Sequence, residues 1–212
     1  MKTNFNKRHY FVLKKAIAPD AADFIYKYFL LKRRVAETLF AAKYIPPYST
    51  EWGYWKDPQI PNTYSHYADI VMETLLIKLL PTIEKITSLK LYPNYSYARI
   101  YKNGDILERH KDRFSCEISA TLHLGGDKWP IYTEPSGKRG LRGLKIDLKP
   151  GDLMVYLGRE IEHWRKKFKG RNHGQVFLHY SDKKSPRSKE NLFDRRPHLG
   201  LPEVFRKTQN ND

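Results

Sequence analysis

The chain holds a single cysteine, Cys116, in 212 residues. That excludes an internal disulfide and a cysteine-built zinc finger. No apolar run approaches the roughly 20 residues that a membrane-spanning helix needs, so no membrane partner is expected. The opening stretch MKTNFNKRHYFVLKKAIAP is too briefly apolar for a secretory signal. Acidic residues are scarce: 23 Asp and Glu stand against 39 Lys and Arg, a formal net charge of +16. Such a field attracts nucleic acid, acidic proteins or anionic small molecules, and equally serves to solvate a surface. A cytoplasmic protein is the expectation.

Aromatic residues are plentiful, with 15 Tyr, 10 Phe and 4 Trp. A tyrosine buries a large ring and keeps a polar tip, which suits a core built around a wet cleft. The length favours one domain over two independent cores.

Residues 20–43 are predicted to form a helix, with Asp20 as N-cap and Phe24, Tyr28, Leu31 and Val35 at helical spacing. A Pro- and aromatic-rich stretch, YIPPYSTEWGYWKDPQIPNTYS, follows as an ordered cover. A second helix is expected over roughly 66–86, interrupted at Pro81, with Leu75, Leu76, Leu79, Ile83 and Ile86 buried. Beyond Leu89 the texture changes to short β-branched or aromatic runs punctuated by turns, at 95–101, 116–124, 143–148, 152–157 and 174–180. EPSGKRG at 134–140 reads as a loop. The pattern predicts a mainly β chain with helices packed on one side, as a sandwich, barrel or jelly roll. The expected organisation is a helical support over 1–88, a β core over 89–181 and a basic tail over 182–212, with LFDRRPHLGLP as a docking segment in it.

Within this β region stands ILERHKDRFSCEIS. If residues 110–112 are extended, alternation puts His110 and Asp112 on one face and Lys111 on the other. A solvated polar pair on an edge strand would look the same. A metal site needs a third ligand from elsewhere, and His163, in GDLMVYLGREIEHWRKKF, is the best candidate. Two histidines and one carboxylate form the facial triad of non-haem Fe(II) oxygenases, although zinc also accepts these donors.

YARIYKNGDILERHKD resembles the strand, glycine and His-x-Asp pattern of the 2-oxoglutarate/Fe(II) dioxygenases, prolyl-4-hydroxylase type. ISATLHL is similar to that family's next strand. LKPGDLMVYLGREIEHWRKKFKGRNHGQVFLHY is similar to its turn, distal histidine and final strand. The resemblance covers about 92–180, is looser over the N-terminal helices, and is nearest to small members known from marine phage and bacterial genomes. It implies a double-stranded β-helix (a cupin-like jelly roll) in the cytoplasm of a bacterium or of a phage-infected host.

The resemblance also implies Fe(II) held by His110, Asp112 and His163, with 2-oxoglutarate as co-substrate and O2 as oxidant. Tyr101 stands where the family's strand tyrosine touches 2-oxoglutarate, and His123 where a second tyrosine often does. The family's basic anchor for the far carboxylate lies nine to eleven residues after the distal histidine. His173 occupies that position here, with Arg171 two residues earlier and Arg165 as a third option. Arg171 is the favoured anchor for its charge and length, with His173 beside it. Arg99, Trp129 and Tyr132 are candidate substrate contacts, and His179 could face the site or be structural. Cys116 is expected to be buried and inert. The implied activity is hydroxylation of a peptidyl (including prolyl) or small-molecule substrate. A nucleic-acid-directed dioxygenase and a non-catalytic jelly-roll binding module are the alternatives.

Overall fold

The computed structural model describes residues 4–138 and 140–207. The extreme ends of the expected N- and C-terminal segments and one residue of the 134–140 loop lie outside them. In chain order the helices are α1 (Phe5–Arg8), α2 (Pro19–Ala41) and α3 (Ile70–Thr87). The strands are β1 (Tyr10–Leu13), β2 (Tyr64–Tyr67), β3 (Leu91–Lys102), β4 (Leu107–His110), β5 (Ile118–Gly126), β6 (Ile131–Glu134), β7 (Leu144–Ile146), β8 (Leu153–Leu157), β9 (Glu162–Arg165) and β10 (Asn172–Asp182). They form two antiparallel sheets, ordered β1-β8-β5-β10-β3-β2 and β4-β9-β6-β7. This is the expected jelly roll. No helix among the described residues is long and apolar enough to cross a membrane.

The helices cover one face of the larger sheet, where the main apolar core lies. α3 runs as predicted: Leu75, Leu76, Leu79, Ile83 and Ile86 are all buried. Asp69 caps it by accepting from the backbone N–H groups of Val71 and Met72.

α2 departs from the prediction. Its N-cap is Ala18, with Pro19 at the first helical position and Asp20 already inside the first turn. Phe24 and Leu31 are exposed, and the buried face is Ala22, Ile25, Phe29 and Ala36. The sheet below sets that phase. Tyr26 lies flat over Gly125 of β5 and Gly174 of β10, where any Cβ would collide with its ring.

The N-terminal third is more than a helical support, since it lends β1 and β2 to the larger sheet. The expected basic tail is likewise part of the body. A 3-10 segment, Ser188–Arg195, carries three successive left-handed non-glycine residues, Phe193, Asp194 and Arg195. That strained turn buries Asp194, which accepts from Tyr67 Oη at 2.7 Å and Arg113 Nη2 at 3.1 Å. Arg196 is buried against Glu73 of α3 at 2.7 Å.

Candidate metal centre

β4 and β9 pair so that His110 lies directly across from His163. The chain then leaves β4, and the Asp112 backbone N–H donates to Gly158 O at 2.8 Å. This returns the Asp112 carboxylate to the same face as the two imidazoles. One donor atom from each of His110, Asp112 and His163 lies within 4.8 Å of the others. Both Nε2 atoms face Asp112 Oδ1, at 3.7 Å from His110 and 3.4 Å from His163.

The surroundings orient each donor. His110 Nδ1 lies 2.7 Å from Glu108 O and His163 Nδ1 lies 3.4 Å from Ile161 O, which favours a proton on Nδ1 and a lone pair on Nε2. Ser119 Oγ donates to Asp112 Oδ2 at 2.6 Å and lies 3.0 Å from His179 Nδ1. Gly158 makes room, because a Cβ there would sit within 2.5 Å of both Asp112 Oδ2 and Ser119 Oγ. Although buried, the Asp112 carboxyl is held well below the usual carboxylate range by His163 and the Ser119 hydroxyl. Burial lowers His179 to about 4, so it is neutral.

A cavity of about 570 Å³ opens over these residues. Its walls include Asp57 and Gln59 of the Pro-rich cover, Tyr95, Tyr97 and Arg99 of β3, Phe177 of β10, and Glu203 from the C-terminal segment. Arg99 is tied down there: Nη2 to Asp57 Oδ2 at 2.5 Å, Nη1 to Gln59 Oε1 at 2.7 Å and Nε to Ser65 Oγ at 3.3 Å. Gln59 Nε2 also comes within 3.2 Å of His110 Nε2.

Apart from the cavity, the rings of Tyr101, Trp129, Phe168 and His173 and the Arg165 guanidinium form a buried cage. The Arg165 guanidinium lies 5.0 Å from the Trp129 ring, and the Tyr101 and Trp129 rings meet edge-on at 4.8 Å. Arg165 is 1% exposed and makes no ion pair among the described residues. Its Nη1 donates to Trp129 O and its Nη2 to Gln175 Oε1 at 3.2 Å, while its Nε has no partner. The Tyr101 hydroxyl is also buried without a hydrogen bond.

No protein-family model and no curated protein sequence matches this chain. Solved structures do. A Pseudomonas putida prolyl-4-hydroxylase aligns with a TM-score of 0.59 over 85% of this chain and 96% of its own, at 16% identity. HygX from Streptomyces hygroscopicus, solved with nickel, 2-oxoglutarate and hygromycin B bound, aligns at 0.61 over 85% of each chain, at 14% identity. The non-haem α-ketoglutarate-dependent epimerase SnoN aligns at 0.59 over 84% of this chain and 80% of its own, at 12% identity. The fold is that of the 2-oxoglutarate/Fe(II) oxygenases of prolyl-4-hydroxylase type.

Within this oxygenase fold the expected site residues divide into three groups. His110, Asp112 and His163 converge, and Tyr101 packs in the cage against Trp129 and His173. Arg99 and His179 line the cavity, the first clamped by Asp57 and the second supporting Ser119. The remainder are placed as follows. Trp129 is buried in the cage, its Nε1 donating to Lys166 O at 2.7 Å, so it does not line the cavity mouth. His123 stacks on His173 at 4.4 Å with both ring nitrogens near backbone carbonyls, those of Leu148 and Gly125. Arg171, the favoured anchor, is exposed just before β10 begins. His173 is buried, and desolvation by burial, with Arg165 and His123 adding to it, drives its pKa well below the usual value and leaves it neutral. Cys116 is buried and its thiol is pushed up to about 12, inert as expected.

Ser119, Gln59, Gln175 and Tyr156, a cavity-lining residue whose hydroxyl lies 3.4 Å from His163 Nε2, were not picked out by sequence reasoning. Arg165 entered the sequence reading only as the third option for the anchor, and the structure puts it on β9 with its side chain on the same face as His163.

Proposed function

We propose that this protein is a 2-oxoglutarate- and Fe(II)-dependent oxygenase that hydroxylates a small-molecule or peptidyl substrate, with release of succinate and CO2. The observation that carries this reading is the convergence of His110, Asp112 and His163 within 4.8 Å at the floor of the cavity. Two imidazoles and one carboxylate on one side of an ion suit Fe(II) with open positions opposite. A buried guanidinium without a carboxylate, beside an unbonded buried phenol, suits the far end of a diacid co-substrate. Both groups thus fit residues of this chain.

Fe(II) with 2-oxoglutarate and O2 would supply the C–H-oxidising chemistry. The chain's own part is to hold and orient. Ser119 fixes the free oxygen of Asp112, and the carbonyls of Glu108 and Ile161 set the two imidazoles. Leu107 and Phe177 make the cavity wall apolar beside the triad. The cover segment, through Asp57 and Gln59, ties the cavity roof to Arg99.

The fold does not choose the substrate, since a prolyl hydroxylase and a protein that binds hygromycin B share it. A nucleic-acid substrate is a second reading supported by the charge of +16, and steeply salt-dependent binding would mark it. The deciding experiment is succinate release from 2-oxoglutarate by the Fe(II)-loaded protein, against panels of peptides, amino acids, nucleosides and oligonucleotides. Turnover is expected with the intact triad and is expected to vanish in Asp112→Ala and His163→Ala at unchanged circular dichroism. Equal turnover in either variant would sink the reading.

A further inference from the structure

We propose that Arg165 is the residue that selects a 2-oxo diacid over a 2-oxo monoacid, with Gln175 and His173 as the positioning residues that hold its guanidinium. This rests on the oxygenase reading above and goes beyond it, because the anchor sits on a different strand from the one that the family's pattern indicates.

The charges of the buried arginines separate one from the rest. Arg99 is matched by Asp57 and Arg196 by Glu73. Arg165, equally buried, has no carboxylate within ion-pair distance among the described residues. An unpaired buried cation is costly unless a ligand brings the counter-charge. The guanidinium is nonetheless tightly fixed. Trp129 O and Gln175 Oε1 accept one hydrogen each, from Nη1 and Nη2, while Nε–H has no partner, so donor capacity remains on the guanidinium. A planar edge of two parallel N–H groups is the shape that grips a carboxylate bidentately. The unbonded hydroxyl of Tyr101 shares the cage.

Gln175 cannot swing away. Its Nε2 donates to Thr121 Oγ1, which turns Oε1 toward both Arg165 and His173 Nε2, the latter at 2.9 Å. The neutral His173 ring carries one N–H, which it can donate to Gln175 Oε1 from Nε2 or to Asp127 O, 2.8 Å from its Nδ1, but not to both, and the ring is also held by stacking on His123. So the position where the pattern puts a basic anchor holds a neutral ring, and that ring braces the residue that braces the arginine. β9 places His163 and Arg165 on one face, so one end of a bound 2-oxo acid can address the metal while the other addresses the guanidinium. Arg171 is exposed and Arg99 is already paired, so neither competes.

The test measures binding, not turnover. The protein loaded with nickel(II) is titrated with 2-oxoglutarate and with 2-oxopentanoate, which has the same chain without the far carboxylate. Calorimetry and quenching of Trp129 fluorescence read the affinity. Wild type is expected to prefer 2-oxoglutarate. Arg165→Gln should weaken 2-oxoglutarate by about 10- to 100-fold, the scale of a lost hydrogen-bonded charge pair, and leave 2-oxopentanoate within about threefold. Should Arg165→Gln fail to fold, Gln175→Glu keeps the guanidinium and supplies an internal carboxylate. It should hold or raise the melting temperature while weakening 2-oxoglutarate about tenfold or more. Arg171→Gln should change neither ligand. A wild-type preference that survives in Arg165→Gln, or in Gln175→Glu where that is the variant that folds, overturns the anchor and leaves the oxygenase reading standing. Wild type showing no preference at all would overturn both.

Discussion

Arg165 and His173 lie in one cage, and burial lowers both pKa values but leaves them with different charges at neutral pH. Burial lowers Arg165 only to about 10, so it stays cationic at neutral pH. Burial leaves His173 uncharged throughout the same range. Of the other groups around them, burial keeps His123 neutral and pushes the Tyr156 hydroxyl well above its ordinary value, so neither supplies a counter-charge at neutral pH. At saturating metal, 2-oxoglutarate affinity should therefore stay level from about pH 6 to 8 and fall only as pH approaches 10. A histidine anchor would behave differently, losing affinity as the ring deprotonates above its ordinary pKa of about 6.5. Calorimetric titration at pH 6, 7 and 8 separates the two, and a steep decline across that window would exclude the arginine. Charge and length favoured Arg171 in the sequence, and strand parity shared with His173 allowed it to face the same pocket. The structure removes Arg171 because β10 starts one residue later and leaves its side chain in solvent.

At the scale of elements, the C-terminal segment shows what composition alone misses. Its basic residues read as solvated, yet Arg196 passes through the protein surface to meet Glu73, which also accepts from the Ser96 and Gly200 backbone N–H groups. Replacing Arg196 with alanine leaves that buried carboxylate short of its counter-charge. The expected loss is about 3–5 kcal/mol of stability, read as a shift of the urea midpoint. A loss below about 1 kcal/mol would mean that water replaces the guanidinium and that the segment is only loosely docked. The long, strongly patterned elements were legible in sequence: α3, β3, β5, β8 and β10 lie close to where periodicity put them. β1, β2, β6 and β9 were not, because strands of four residues are too short to show a period. The phase of α2 was misread for a different reason. Its exposed Phe24 and Leu31 carry as strong a helical repeat as its buried face, and only the glycines beneath Tyr26 decide between them. The cluster of His110, Asp112 and His163 was legible because metal chemistry limits the donor types that a candidate site can use. The cage was legible only in pieces: Tyr101, Trp129, Arg165 and His173 were each candidates, but Phe168 and Gln175 advertise no role until their neighbours are known.

For the molecule as a whole, those buried imidazoles carry a cost in acid. His66, His123, His173 and His179 all have lowered pKa values, burial being the first cause in each. In the unfolded chain they titrate near 6.5. Below that pH the unfolded state binds protons that the folded state refuses, so stability falls as pH falls. For His179, lowered to about 4, the loss by pH 5 is about 2 kcal/mol, at about 1.4 kcal/mol for each of the 1.5 or so pH units below the unfolded value. The carboxylates act elsewhere on the scale. Asp57, Asp69 and Asp194 are all depressed, so their contribution is intact at pH 5 and is lost only as pH drops below their unfolded range near 4. The metal-free protein should therefore show a urea midpoint that declines between pH 6.5 and 5, before any carboxylate protonates. Added salt should remove little of this decline, because the penalty comes from burial, whereas self-repulsion among the charges that give +16 is screened. A midpoint flat from pH 7.5 to 5 would mean that these rings accept protons in the folded state. The cage would then hold a second cation beside Arg165, and the charge difference that lets one residue choose a diacid would be lost.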